Sequence, residues 1–338
     1  MKWDDQTAGT IDVVADKLAM DSLEAGNLRN QVRVLQKEML ARVEKCDAIP
    51  DEQFAQDFRN LVASIKTLSR TMKFAEKIDL VGILETPLML CDVDKKHWEG
   101  RARKKCMIEA WIWSVLLESI FGSPFGILGI AATNLQEVWY GLFGAGDFHD
   151  WPTPSPLCET WRCTTMESIY GGVAVRDIVE QGLAKKEGEL TIIEESILKT
   201  RHLVSKVIET RLKIISPDNA FKHVPSIVDK AFALAGQIST QRARLQIAYP
   251  GVGSKFDKQF MTPRSDANCK DLEDGSVAFI VNPGLIKWGD AHGKNLEHRY
   301  DIVPALVQLE GVDEIQVQTG IRENESAKGY ADMVKQGM

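Results

Sequence analysis

Apolar residues recur at helical spacing along most of the chain. Phe54, Phe58, Leu61, Ile65, Leu68 and Met72 follow one another at intervals of four, three, four, three and four, with Arg59, Lys66 and Arg70 off the stripe. At 100° per residue these six share one face, so the segment predicts an amphipathic helix. Pro50-Asp51 supplies its start, with Asp51 as the capping residue. Upstream, Ile11, Val14, Leu18, Ala25, Leu28, Val32, Leu35 and Met39 predict one long helix over 11–46. Asp21 occupies the phase position between Leu18 and Ala25, and Gly26-Asn27 weakens the middle. The clean stretch, Leu28-Val32-Leu35-Met39, is barely two heptads, short of the three or four that specify a coiled coil. Two readings stand side by side: a helix lying on its own domain, or one pairing with itself or a partner. The short connection through Ile49-Pro50 lets the two helices form an antiparallel hairpin.

Beyond residue 77 the pattern predicts a short helix and loop around Pro87, then a helix over about His97–Phe121 that opens on the basic run Arg101-Ala102-Arg103-Lys104-Lys105 and buries Trp111 and Trp113. Nearby glutamates are the expected partners of the two indole N–H groups. The basic run reads as solvated first turns, with a nuclear-localisation signal as the alternative. A helix over Thr133–Phe143 is expected to turn Leu135, Val138, Trp139 and Leu142 inward. Three longer ones follow, over about Glu159–Lys186, Glu189–Ile215 and Val224–Ala248. The texture then changes. Residues 276–281 form a β-type run ended by Asn282-Pro283-Gly284, and residues 301–309 a second, which Pro304 demotes to an edge. The fold class is mainly α: a multi-helix, bundle-like array with an N-terminal helical hairpin and a small C-terminal β hairpin. The chain divides into an N-terminal amphipathic helix (1–48), a helical half with a Trp-rich core helix (49–143), a Pro-rich loop (144–158), a second helical half (159–250), a loop with the β hairpin (251–318) and a flexible tail (319–338).

Composition narrows the classes. The 338 residues are 44% hydrophobic and 26% charged, which excludes wholesale disorder and a disulfide-rich miniprotein. A net charge of −7 argues against a protein that coats nucleic acid. Two aspartates follow Met1-Lys2-Trp3 where the apolar core of a secretory signal would begin. The six cysteines, Cys46, Cys91, Cys106, Cys158, Cys163 and Cys269, are scattered as reduced thiols are, so the cytoplasm is the expected compartment, with the nucleus open. The apolar stretch 108–132 is interrupted by Glu109, Glu118 and Ser123-Pro124; it reads as a buried core helix and not as a membrane span.

Three patches carry a resemblance: the Phe54/Phe58/Leu61/Ile65 helix; Glu109-Ala110-Trp111-Ile112-Trp113 leading into Phe121-Gly122-Ser123-Pro124-Phe125; and Asn282-Pro283-Gly284-Leu285-Ile286-Lys287-Trp288-Gly289 with Gly293 soon after. Over about residues 50–310 the chain resembles a group of uncharacterised, mostly helical proteins of filamentous fungi. The resemblance implies a helical fold and a fungal origin, and supplies no catalytic residues.

Chemistry is sparse. No phosphate-binding glycine motif appears; Gly251-Val252-Gly253-Ser254-Lys255 has the glycines and a lysine, but nothing before it reads as a strand. His149, Cys158 and Cys163 lack the paired spacing of a zinc site, and His292, Glu297 and His298 read as surface loop. Asp92-Val93-Asp94 lacks the third carboxylate that a magnesium-diphosphate site needs. His202 and His223 lie near helical core stripes, where a structural histidine is the plain reading. No cofactor or metal is implied. His149-Asp150-Trp151, in the Pro-rich loop, is the one polar-aromatic cluster. Two functions remain. The first is a non-catalytic interaction or scaffold protein that pairs with itself or another protein through residues 11–46, using Leu28, Val32, Leu35 and Met39. The second is a helical protein whose apolar pocket, lined by Trp111, Trp113, His149, Asp150 and Trp151, binds or transforms a small hydrophobic molecule.

Overall fold

The computed structural model describes residues 48–310 apart from 75–77, 86, 99–100, 147–148, 183–189, 218–220 and 265–274, together with six isolated positions, Lys17, Met20, Ser22, Gly26, Asn30 and Arg33, all helical. Residues 1–48 and 49–338 form separate compact units. The interaction face expected at Leu28, Val32, Leu35 and Met39 lies outside the described residues.

The second unit is mainly helical. Helix α1 (Asp51–Thr71) buries Phe54, Phe58, Leu61, Ile65 and Leu68 along the stripe its sequence announces. Complete burial of side chains of this size contributes roughly 1.5–3 kcal/mol each. Its N-cap position is Pro50, with no side-chain cap; Asp51 is instead the first helical residue and accepts from Lys287 Nζ at 2.7 Å. Helix α2 (Leu80–Leu84) is one short turn capped by Asp79. Helix α3 (Arg101–Leu116) runs through the centre of the core, packs on α1, and finishes in a π-helical turn over Leu117–Phe121. A 3₁₀ turn (Gly126–Ala132) leads into α4 (Thr133–Phe143). Only half of the expected inward face of α4 is inward: Trp139 is buried, whereas Val138 and Leu142 are exposed.

The helix predicted over 159–186 is two: α5 (Pro156–Tyr170) and α6 (Val173–Gln181), broken at Gly171-Gly172, whose lack of side chains makes continuation costly. Helix α7 (Ile192–Ile215) starts on a capping box in which Thr191 and Glu194 exchange hydrogen bonds. Helix α8 (Val224–Ser239) ends nine residues before the predicted Ala248, and the chain re-forms as strand β1 (Arg244–Ala248). All five β1 residues are buried, so no alternation marks the strand in the sequence.

The β region is larger than one hairpin. Strands β2 (Met261–Pro263), β3 (Ser276–Asn282), β4 (Gly284–Trp288), β5 (Arg299–Val303) and β6 (Ala305–Glu310) join β1 in two three-stranded sheets, ordered β1-β4-β5 and β2-β6-β3. β3 and β4 are one chain run bent at Pro283, β5 and β6 one run bent at Pro304, and the two runs pair antiparallel on both sides of the bend. Asn282-Pro283-Gly284 therefore turns a corner and does not end a strand. β6 is the central strand of its sheet, not an edge, because Pro304 sits at the corner, where no ladder N–H is needed. Gly284 permits the close approach: a Cβ there would lie 2.8 Å from Val303 O. β1 closes one sheet antiparallel to β4, and β2 the other parallel to β6.

Candidate functional site

The Trp-rich helix is filled core. Trp113 stacks on Phe58 with ring centres 5.3 Å apart and donates its indole N–H to Asn282 Oδ1 at 2.9 Å. Trp111 donates to Leu84 O at 2.8 Å. Backbone and amide oxygens, not the expected glutamates, satisfy the two indoles. Glu109 is buried instead against Ser69, whose hydroxyl donates to it at 2.7 Å, and burial pushes its carboxyl above the ordinary value. Glu118 is exposed.

The Pro-rich loop packs at the end of the same helix, beside Phe121, whose ring centre lies 6.5 Å from that of Trp113. Trp151 meets Trp139 edge to face at 5.6 Å and donates to Gly122 O at 2.9 Å. Gly146 N–H donates to Trp151 O at 3.0 Å, which closes the loop on itself. His149 and Asp150 both adopt positive φ, 48° and 59°. The His149 ring lies 4.7 Å from that of Tyr249, and its Nε2 accepts the Tyr249 backbone N–H at 3.4 Å. Burial pushes the His149 pKa down, so the neutral ring that this acceptor role needs is the favoured form. The structure brings His149, Asp150 and Trp151 together in this loop, and sets Trp111 and Trp113 against α1, α2 and β3.

Beneath the loop is a cluster of buried charges absent from the sequence reading. Arg244 on β1, Glu159 and Arg162 on α5 are each about 2% exposed. Arg162 Nε donates to Glu159 Oε2 at 2.7 Å; Arg244 Nε donates to Glu159 Oε1 at 2.8 Å, and Arg244 Nη2 donates to the same oxygen. The outer guanidinium nitrogens tie the surrounding backbone. Arg162 donates to Ser239 O, Gln241 O and Ala243 O at 2.6–3.2 Å, and Arg244 donates to Pro152 O. Arg244 also lies over the rings of Trp139 and Trp151, at 5.7 and 5.8 Å. Burial alone would raise the Glu159 pKa; the two guanidiniums outweigh it and hold the carboxylate below its usual range. Cys158 sits within the same cluster, accepting from Trp139 Nε1 at 3.2 Å, and burial followed by the Glu159 charge pushes its thiol up, away from the reactive thiolate. A carboxylate held ionised between two arginines, whose remaining N–H groups donate to backbone carbonyls, is a clamp joining the Pro-rich loop, α5, the end of α8 and β1. Glu159 and Arg162 stand three apart in a segment of Trp and Cys, which is the one sequence signal that could have marked them.

The weaker sequence candidates separate. His202 and His223 are exposed, not in the core. His292 and His298 lie in the β4–β5 connection, where Asp290 accepts from the His292 and Lys294 backbone N–H groups and His298 approaches Glu297 at 3.2 Å. Gly251–Lys255 does follow a strand, β1, contrary to expectation. No helix N-terminus comes after it, though, and Lys255 bridges to Ser276. Among the described residues, no group of three or more His, Cys, Asp or Glu is placed to hold a metal ion. No single helix among them is long and apolar enough to cross a membrane. The bent pair 103–121 and 126–143 qualifies by composition, with the α3 residues Ile108, Ile112 and Trp113 fully buried in the fold.

The surface carries one further feature. Helix α7 buries Ile197, Val204, Ile208 and Ile215 on one side and exposes Ile192 (82%), Leu203 (60%), Val207 (38%) and Ile214 (52%) on the other. The turn 126–132 sits on α7 between Ile192 and Leu203: Ser196 Oγ donates to Leu128 O at 2.7 Å and accepts from Ala131 N–H at 3.2 Å. Ile130, at the outside of that turn, is 85% exposed. No family model, curated protein or solved structure matches the chain.

Proposed function

We propose that this is a non-catalytic interaction protein that binds another polypeptide through apolar helix faces. The observation that carries the reading is the exposed stripe of α7, Ile192, Leu203, Val207 and Ile214, with Ile130 beside it. Leu203, Val207 and Ile214 are exposed on one face within about three turns of α7, and clustered exposed apolar side chains mark interaction sites. The amphipathic pattern at Leu28, Val32, Leu35 and Met39 is the second expected face, for self-association or a partner, in a helix pair that joins a bundle-like array. The scatter of the six cysteines along the chain suits a reducing compartment, which favours the cytoplasm. Trp111 and Trp113 make their contacts with Phe58, Phe121, Leu84 and Asn282.

Native mass spectrometry of the full chain tests the proposal, beside a Val32→Glu/Met39→Glu variant. The expected result is a mass of two or more 37.7 kDa chains with no small adduct, collapsing to one chain in the variant. A single chain carrying a stoichiometric small molecule overturns it, and a bare single chain removes self-association.

A further inference from the structure

We infer that the α7 stripe receives an acidic amphipathic helix of a partner protein; this deepens the reading above and rests on it. Two observations fix the chemistry of the occupant. The first is shape. Leu203, Val207, Thr210 and Ile214 are spaced four, three and four, the repeat by which one helix seats another. From Leu203 to Ile214 the seam runs about 17 Å at 1.5 Å per residue, and the turn 126–132 lies across α7 between it and Ile192. The seam is one side chain wide, a width suited to a helix.

The second is charge. Lys199, Lys206 and Lys213 recur every seventh residue along one margin of the stripe, and all three are exposed. Arg211 stands on the opposite margin, where it donates to Ile83 O at 3.0 Å and Glu85 at 2.9 Å. Two glutamates stand beside the rail: Glu195, 2.8 Å from Lys199, and Glu209, three residues after Lys206 and four before Lys213. A cationic rail beside an apolar seam selects glutamates or aspartates at the flanking positions of the incoming helix. The same rail disfavours a second copy of α7 laid antiparallel, which would set lysine against lysine. An anionic bilayer shares the preference for lysine, but the stripe has no Trp or Phe to seat at a lipid interface.

The test uses the full-length chain and two labelled synthetic amphipathic helical peptides with the same leucine seam, one flanked by glutamates and one by lysines, read by fluorescence anisotropy. Vesicles of neutral and of anionic phospholipid are added in parallel. The wild-type chain is expected to bind the glutamate peptide at least about tenfold more tightly than the lysine peptide, with affinity falling as salt rises. Reversing the rail with Lys199→Glu/Lys206→Glu/Lys213→Glu is expected to invert that preference, and Leu203→Asp/Ile214→Asp to abolish binding of both. All five positions are exposed, and unchanged thermal melting verifies the fold of each variant. Equal binding of the two peptides, or of neither, overturns the inference, as does binding of anionic vesicles without the glutamate peptide. Assembly of the full chain that persists while neither peptide binds leaves the interaction reading intact and removes this occupant alone.

Discussion

Replacing Glu159 by Gln should destabilise the second unit more than any other single isosteric change to a charged side chain in it. The carboxylate accepts from three guanidinium N–H groups, one of Arg162 and two of Arg244, and all three residues are almost fully buried. The amide keeps one acceptor oxygen and turns a donor toward a second guanidinium. Two buried cations then face each other with no counter-charge. Two unit charges 4 Å apart interact by about 4 kcal/mol at an effective dielectric of 20, so both attractions are lost and a repulsion of similar order is exposed. Measured losses on breaking a buried pair, about 3–5 kcal/mol, already include relaxation and water entry, and set the expected size. At roughly 2–4 °C per kcal/mol for a unit of this length, the midpoint should fall by on the order of 10 °C or more. The control is Glu195→Gln, which removes a charge from an exposed pair whose side chains are 55% and 73% accessible and should cost less than about 0.5 kcal/mol. Arg244→Met in the Glu159→Gln background should recover part of the loss, because it removes one orphaned cation. Thermal and urea unfolding followed by circular dichroism read all of these. If Glu159→Gln and Glu195→Gln shift the midpoint equally, or the double variant is simply the sum of its parts, the clamp does not hold the fold as argued.

Three other outcomes are expected. Glu109→Gln should raise the urea midpoint at pH 8 and have little effect at pH 4: burial lifts the folded carboxyl pKa above its unfolded value, so stability is lost as pH rises from the unfolded pKa through the folded one, and a gain at pH 4 instead would contradict this. His97 and His149 both have pKa values depressed by burial, so the unfolded chain binds their protons more readily; stability should begin to fall as pH drops below about 6.5, and His149→Phe should blunt that decline, as a pH series of melting curves would reveal. Gly129→Ala should cost more than about 1 kcal/mol and loosen the turn over α7, since Gly129 has φ 62° and ψ −138° and an added Cβ would lie 2.0 Å from Thr200 Oγ1; hydrogen exchange at 126–132 no faster than wild type would refute it.

What the sequence made legible follows from how local each determinant is. Helix α1 could be read from spacing alone because its buried face is set by six residues within one segment. The end of α8 could not. Its continuation, Arg244-Leu245-Gln246-Ile247-Ala248, is buried throughout, and a strand covered on both faces has no alternation to betray it. Within its own strand each proline, Pro283 and Pro304, reads as punctuation, while its place at the corner depends on the run paired with it. The clamp was invisible for the same reason: Glu159 and Arg244 are 85 positions apart, and only the fold makes the buried arginine affordable.

The two notable surfaces of the molecule also differ in what they cost. The clamp hides two guanidiniums against one carboxylate and ties the remaining N–H groups to backbone carbonyls, so its groups are committed and offer nothing to a ligand. The α7 stripe leaves apolar groups exposed, and what it forgoes sets how strongly it can bind. Complete burial of side chains like Ile192, Leu203, Val207 and Ile214 is worth roughly 1.5–3 kcal/mol each, and less where half of the side chain is already covered, so this side of the seam supplies about 6 kcal/mol and the apolar face of the partner a similar amount. Association itself costs an estimated 4–15 kcal/mol, which offsets most of that sum. The seam by itself therefore makes only a weak contact. The lysine rail has to contribute, which makes the contact reversible and salt-sensitive, or a second face has to bind at the same time, so that each weak contact raises the effective concentration of the other. A protein built on such a stripe is suited to exchange partners and poorly suited to form a permanent complex.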